Sequence, residues 1–238
     1  MSGIDRIQKT LDDAKENREA AFNRVEVKEL FFKDGDQVFV SSAATGASGD
    51  TLLDEYRLFT FQNGRYFANV LEDERVDTSN VPPLLDGTPR MPTRKFAFWG
   101  YIHYVLHTKK SSEDMEAIAG PGGRKLFKET IDDYRILPFS FGKGNANWNQ
   151  LLDVYEDWGS LDKGVIKIKR NGVGLETTYT IGTTPKTEEI PENKAGEIAT
   201  LSPIKDYMFG RYGQKVTIFD SDAAFPGGIP GDNDELPF

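Results

Sequence analysis

His103 and His107 are the only imidazoles in the chain, and no cysteine accompanies them. Lack of cysteine removes thiolate nucleophiles, disulfides and thiolate zinc sites together. On a helix the two histidines would share a face and could ligate zinc, yet no zincin-type glutamate motif surrounds them. On a strand they share a face but stand about 13 Å apart, too far to hold one ion. No Gly-x-Ser-x-Gly elbow is present, which argues against a Ser-His-Asp hydrolase. Gly120-Pro121-Gly122-Gly123 lacks the spacing and the Lys-Ser/Thr pair of a phosphate loop and reads as a turn. Paired carboxylates such as Asp12-Asp13 and Asp132-Asp133 are plentiful, and pairs of this kind are mostly solvated faces. A metal-dependent nuclease therefore stays only as the enzymatic alternative.

The chemistry that stands out is flat rings beside cations. Between Arg94 and Lys110 the chain reads RKFAFWGYIHYVLHTKK. With a period of two, Phe96, Phe98, Ile102, Tyr104 and Leu106 fall on one side, with Gly100 among them. Lys95, Trp99, Tyr101, His103 and His107 fall on the other. The first face suits a core. The second suits a surface that stacks on bases and neutralises phosphates.

Charge is unevenly placed around this strand. The 238-residue chain carries a net charge of -9, with 38% hydrophobic and 12% aromatic residues. That content supports a real core. From Thr88 to Lys110 there are five basic residues and no acidic one, and Lys163, Lys167, Lys169 and Arg170 form a second cluster. Asp220 to Phe238 holds five acids and no Lys or Arg. Local potential at a groove outweighs net charge, so an acidic chain with basic patches remains compatible with nucleic acid. No apolar run is long enough for a membrane helix, and the N-terminus lacks the apolar stretch of a signal peptide. The expectation is a soluble cytoplasmic protein with no membrane contact and no cofactor.

Several elements must position these residues. Ile4, Ile7, Leu11 and Ala14 predict an amphipathic N-terminal helix up to Phe22. Short β-prone runs follow from Val25, and Ser41 to Asp50 reads as a polar loop. Tyr56–Phe61, Asn63-Gly64 and Arg65–Val70 predict a hairpin with a type I′ turn. Ser111 or Ser112 is expected to cap a short helix with acids in its first turn. Trp148, Leu151, Leu152, Tyr155 and Trp158 recur at helical spacing up to Gly159, a stop signal. Val165–Arg170 and Leu175–Ile181 form a hairpin around Asn171-Gly172, with Lys167 and Lys169 on its open face. Thr183 to Thr200 reads as a linker, Leu201 to Gly213 as a short helix, and Asp220 onward as disordered.

Two resemblances rest on these motifs. Asp232-Asn233-Asp234-Glu235-Leu236-Pro237-Phe238 resembles the acidic tip of bacterial single-stranded DNA-binding proteins. The resemblance implies a leash whose Asp232, Asp234, Glu235, Leu236, Pro237 and Phe238 are captured by replication and recombination proteins. Separately, Trp148 to Ile181, with WGSL and KIKRNGVGLETTYTI, is similar to the closing part of the OB-fold core in T-even-type bacteriophage single-stranded DNA-binding proteins. That family carries a zinc subdomain with Cys and His ligands; a chain without cysteine departs from it, and no metal is expected. The implied fold is mainly β (α+β), an OB-fold-like partly open barrel with helical insertions and a disordered acidic C-terminal tail.

The expected organisation is a helical segment over 1–22, an OB-fold core binding single-stranded DNA over 23–184, a linker with a short helix over 185–219, and a partner-binding tail over 220–238. The expected activity is non-enzymatic: binding and protecting single strands during phage replication, recombination and repair, in the host cytoplasm. Trp99, Tyr101 and Tyr179 are the stacking candidates. Arg94, Lys95, Lys109, Lys167, Lys169 and Arg170 are the phosphate candidates. A phage structural protein with an acidic extension is the rival from another class.

Overall fold

The described residues form eight strands: β1 (Gln37–Ser42), β2 (Leu53–Asn63), β3 (Tyr66–Leu71), β4 (Thr93–His107), β5 (Glu116–Ala119), β6 (Lys125–Ser140), β7 (Ile166–Asn171) and β8 (Thr178–Thr183). The computed structural model describes residues 26–43, 52–63, 66–79, 81–84, 86–185 and 188–213. The predicted N-terminal helix, most of the Ser41–Asp50 loop, the Gly64 turn and the acidic tail lie outside the described residues. Among the described residues three helices accompany the strands: α1 (Ala146–Trp158), α2 (Glu192–Ala195) and α3 (Ile204–Tyr212). None is long and apolar enough to cross a membrane.

All strand ladders are antiparallel, and β4 joins them. One edge of β4 pairs with β6 from Lys95 to His107. The other edge pairs first with β2, from Thr93 to Phe98, and then with β1, from Gly100 to Leu106. The sheet branches at Gly100, where a Cβ would meet Val40 Cγ2 at 2.2 Å. No ladder joins the last strands among the described residues, so the sheet is open. The segment before β1 spans the gap between β6 and β7. Its backbone bonds Ile136 on one side (Leu30 N to Ile136 O, 2.8 Å) and Arg170 on the other (Gly35 N to Arg170 O, 2.9 Å).

Inside the curve, Val38, Val40, Phe96, Phe98, Ile102, Val105, Leu137 and Phe139 pack with Ile166, Ile168 and Ile181. Helix α1 closes this core with Leu151 and Val154. It ends where Gly159 takes the left-handed conformation (φ 70°) and donates to Tyr155 O at 2.7 Å. Each such side chain stabilises by roughly 1.5–3 kcal/mol when fully buried.

Helix α3 covers the opposite face of β4. Ile204, Tyr207 and Met208 pack with Tyr56, Ala97, Trp99, Tyr101 and Ile136. A buried carboxylate pins it: Glu29 accepts from Arg211 Nε at 3.1 Å and from the Tyr212 hydroxyl, and the Tyr207 hydroxyl lies 3.3 Å away. Burial beside Glu29 pushes the Tyr207 hydroxyl up to about 12. Arg75 clamps from the other side, bonding Asp206 at 2.9 Å and lying 4.1 Å over the Phe209 ring.

Three expectations change. Residues 111–115 form turns leading into β5, with no helix. The Thr183–Thr200 stretch is partly ordered, as α2 and a 3-10 turn from Gly196 to Thr200. Strict alternation along β4 also fails. The register with β1 shifts between Phe39 and Val40, and the register with β6 shifts between Ile102 and Tyr104. A bulge adds a residue and turns the following side chains over. Val105 therefore joins the inner core, whereas Tyr104 and Leu106 go to the outer face beside Phe39 and Leu126.

Candidate nucleic-acid interface

The outer face carries two adjacent rows across five strands. One reads Lys128, Leu106, Gln37, Lys169, Thr180; the next reads Thr130, Tyr104, Phe39, Lys167, Gly182. The β4 bulge places Tyr104 opposite Phe39, and their rings stack at 4.4 Å with 23° between planes. Lys128 Nζ lies 4.5 Å from the Tyr104 ring centre and Lys167 Nζ 5.8 Å from that of Phe39. Both rings are buried, and the three lysines are half-buried. The first row ends at the exposed Glu116, opposite Lys128 on β5, so positive charge gathers mainly at Lys167 and Lys169, suited to an anionic backbone.

A second feature opens at the mouth of the curve. A cleft of about 480 Å³ is walled by Leu53, Phe96, Phe141 and Trp148. Asp54, Glu55, Arg94 and Asn145 supply its polar groups, with Asp54 paired to Lys205 at 3.3 Å. The Arg94 guanidinium lies 4.3 Å over the Phe141 ring and donates from Nε to Glu55 Oε2 at 2.7 Å. Phe96 meets Trp148 edge to face at 5.3 Å. The loop between β6 and α1 reaches this position through Gly142 and Gly144, both at positive φ.

The sequence candidates separate. Lys167 and Lys169 lie together in the lysine band, and Arg94 lines the cleft. Lys109 is exposed just beyond β4, in neither. Trp99 and Tyr101 were expected on an open groove, yet they are 4% and 1% exposed under the α3 segment. The Trp99 indole donates to Ser202 O at 2.8 Å and meets Tyr207 edge to face. Lys95 is half-buried on the same covered face, and burial lowers its pKa. Arg170 serves the fold, donating to Phe32 O at 2.7 Å and Thr177 Oγ1 at 3.3 Å. The Tyr179 ring packs against Phe139 and Phe32, at 4.9 and 5.8 Å. In this arrangement Trp99 and Tyr101 offer no open ring face to a base, whereas Tyr179 is half-buried.

The histidines do structural work. His107 bridges two carboxylates, Nδ1 to Asp36 at 3.0 Å and Nε2 to Glu129 at 2.8 Å. The Asp36 hydrogen bond leads in raising its pKa, against the opposing effect of burial. His103 Nε2 lies 2.8 Å from Ser41 Oγ, and Glu188 lies 3.8 Å from Nδ1. That is the order of a hydrolytic triad. Ser41, however, is 6% exposed and paired in the ladder opposite Tyr101. Burial lowers the His103 pKa, and the bond satisfies two buried polar groups. Among the described residues no cluster of three or more His, Cys, Asp or Glu could hold a metal.

Sequence reasoning missed Phe39, Tyr104 and Lys128, because the bulge that aligns them leaves no periodic trace. It also assigned Trp148 to the core and did not single out Phe141, although a ring beside Gly142-Lys143-Gly144 was a usable signal. No protein-family model, curated protein or solved structure matches the chain.

Proposed function

We propose that the protein binds single-stranded DNA without acting on it chemically, as a bacteriophage-type single-stranded DNA-binding protein. The observation that carries this reading is the band of Lys128, Lys167 and Lys169 on the outer face, with Lys128 and Lys167 over the stacked Phe39 and Tyr104 rings. The aromatic cleft with Arg94, toward the other end of β4, adds a place for a base. Phosphate neutralisation supplies affinity that tolerates any sequence, and base–aromatic contact supplies the preference for single strands. An OB-fold-like architecture is the finer reading of the open antiparallel sheet. It is supported by a bent strand shared between two partner strands, and by a core closed by α1 immediately before the β7–β8 hairpin.

In the same reading, the acidic segment ending in Leu236-Pro237-Phe238 recruits replication or recombination proteins. Intrinsic tryptophan fluorescence titrated with oligo-dT at two salt concentrations tests the function. Quenching that weakens steeply with salt is expected. Silence at both salts points instead to a structural protein, and magnesium-dependent cleavage of the oligonucleotide points to a nuclease.

A further inference from the structure

The cleft beside α1 holds more than flat rings, and its polar edge has a definite pattern. Both contacts from Arg94, through Nε at 2.7 Å and through Nη2, fall on the same oxygen, Glu55 Oε2. Oε1 of Glu55 and Nη1 of Arg94 engage no protein partner among the described residues. An open acceptor and an open donor thus belong to two bonded residues that line an aromatic slot. The Phe141 ring already carries a planar group, the guanidinium, on one face. At about 480 Å³ the space falls within the range of small-ligand sites.

Resting on the DNA-binding reading above, we propose that this cleft takes one splayed-out base of the bound strand and prefers guanine to thymine. Guanine presents an acceptor, O6, next to two donors, N1–H and N2–H2. Oε1 of Glu55 can accept from N1–H and N2–H2 together while Nη1 of Arg94 donates to O6. Thymine presents one donor between two carbonyl oxygens. Whichever way it enters, a carbonyl oxygen is brought against the Glu55 carboxylate, and an unpaired acceptor carries a penalty. Phe141 and Trp148 provide stacking that all bases share. Selection therefore lies with Glu55 and Arg94, and affinity lies mostly with the lysine band.

The test uses the full chain and oligo-dT in which one central position is dT, dG or deoxyinosine. Deoxyinosine keeps the purine ring and O6 but lacks the 2-amino group, which separates hydrogen bonding from stacking. At one salt concentration the phosphate contribution cancels. The strand with dG is expected to bind about five- to tenfold tighter than the strand with deoxyinosine. Glu55→Gln is expected to remove that difference, and a urea midpoint near the wild-type value reports an intact fold. Phe141→Ala should weaken all three strands. Equal binding of dG and deoxyinosine by the wild-type chain overturns the guanine site. A preference that survives in Glu55→Gln overturns its assignment to this cleft. Failure to bind any of the strands, plain oligo-dT included, overturns the DNA-binding reading itself.

Discussion

Replacing Trp99 by leucine separates a structural ring from a base-stacking one. The indole is 4% exposed, donates to Ser202 O at 2.8 Å and packs edge to face on Tyr207 at 5.8 Å. Leucine keeps an apolar side chain but loses that hydrogen bond, which contributes about 1 kcal/mol. The smaller volume and the lost ring contact add about 1–3 kcal/mol. The expected cost is therefore about 2–4 kcal/mol, large but within the ~5–15 kcal/mol stability of a typical domain. Urea denaturation should show the midpoint falling. Oligo-dT affinity of the folded variant should stay within about twofold of wild type, since the ring reaches no base. A stacking ring would behave in the opposite way, costing ~1–3 kcal/mol of binding. A tenfold or greater loss of affinity with an unmoved urea midpoint would refute the structural role.

Three further outcomes follow from the geometry. Glu29→Gln removes the charged acceptor for Arg211 and the α3 tyrosines. It should cost about 2–4 kcal/mol in urea and shift tryptophan emission to the red as α3 loosens over Trp99; a change below about 0.5 kcal/mol would contradict the anchor. Gly100→Ala brings a methyl to 2.2 Å from Val40 Cγ2. It should destabilise by about 1–3 kcal/mol, and an unchanged melting temperature would contradict the close approach. His107 has a raised folded-state pKa because Asp36 and Glu129 favour its charged form. Its contribution is complete below the unfolded value of about 6.5 and is lost as pH rises through the raised folded value. The stability gap between wild type and His107→Gln should therefore shrink between mildly acidic and alkaline pH, and a gap that widens would contradict the bridge.

Local patterns foretold local structure. The Trp148–Trp158 spacing gave α1, the lysine-bearing hairpin gave β7 and β8, and the Tyr56–Val70 alternation gave β2 and β3. Long-range packing was the part that local patterns do not encode. Nothing near Trp99 and Tyr101 announces that residues a hundred positions later will cover them, so an aromatic face destined for α3 looked like an open one. A bulge depends on how β1 and β6 register against β4, which is a property of three strands at once. It moved Tyr104 from the core-like face to the lysine band. Arg170 was legible as a cation but not as the residue that ties β7 to the segment before β1. The lysines of β7 kept their expected face, because no bulge interrupts that strand's short ladders.

The most direct measurement is the salt dependence of oligo-dT binding for wild type and for the Lys167→Ala/Lys169→Ala double variant. Each phosphate contact on a single strand contributes a slope of about 0.7 in log affinity against log salt. The wild-type chain is predicted to bind with a steep negative slope, and the double variant to lose about 1.4 of it while keeping its urea midpoint. An affinity indifferent to salt, or a slope the same in both proteins, would contradict the lysine band as the place where the strand lies.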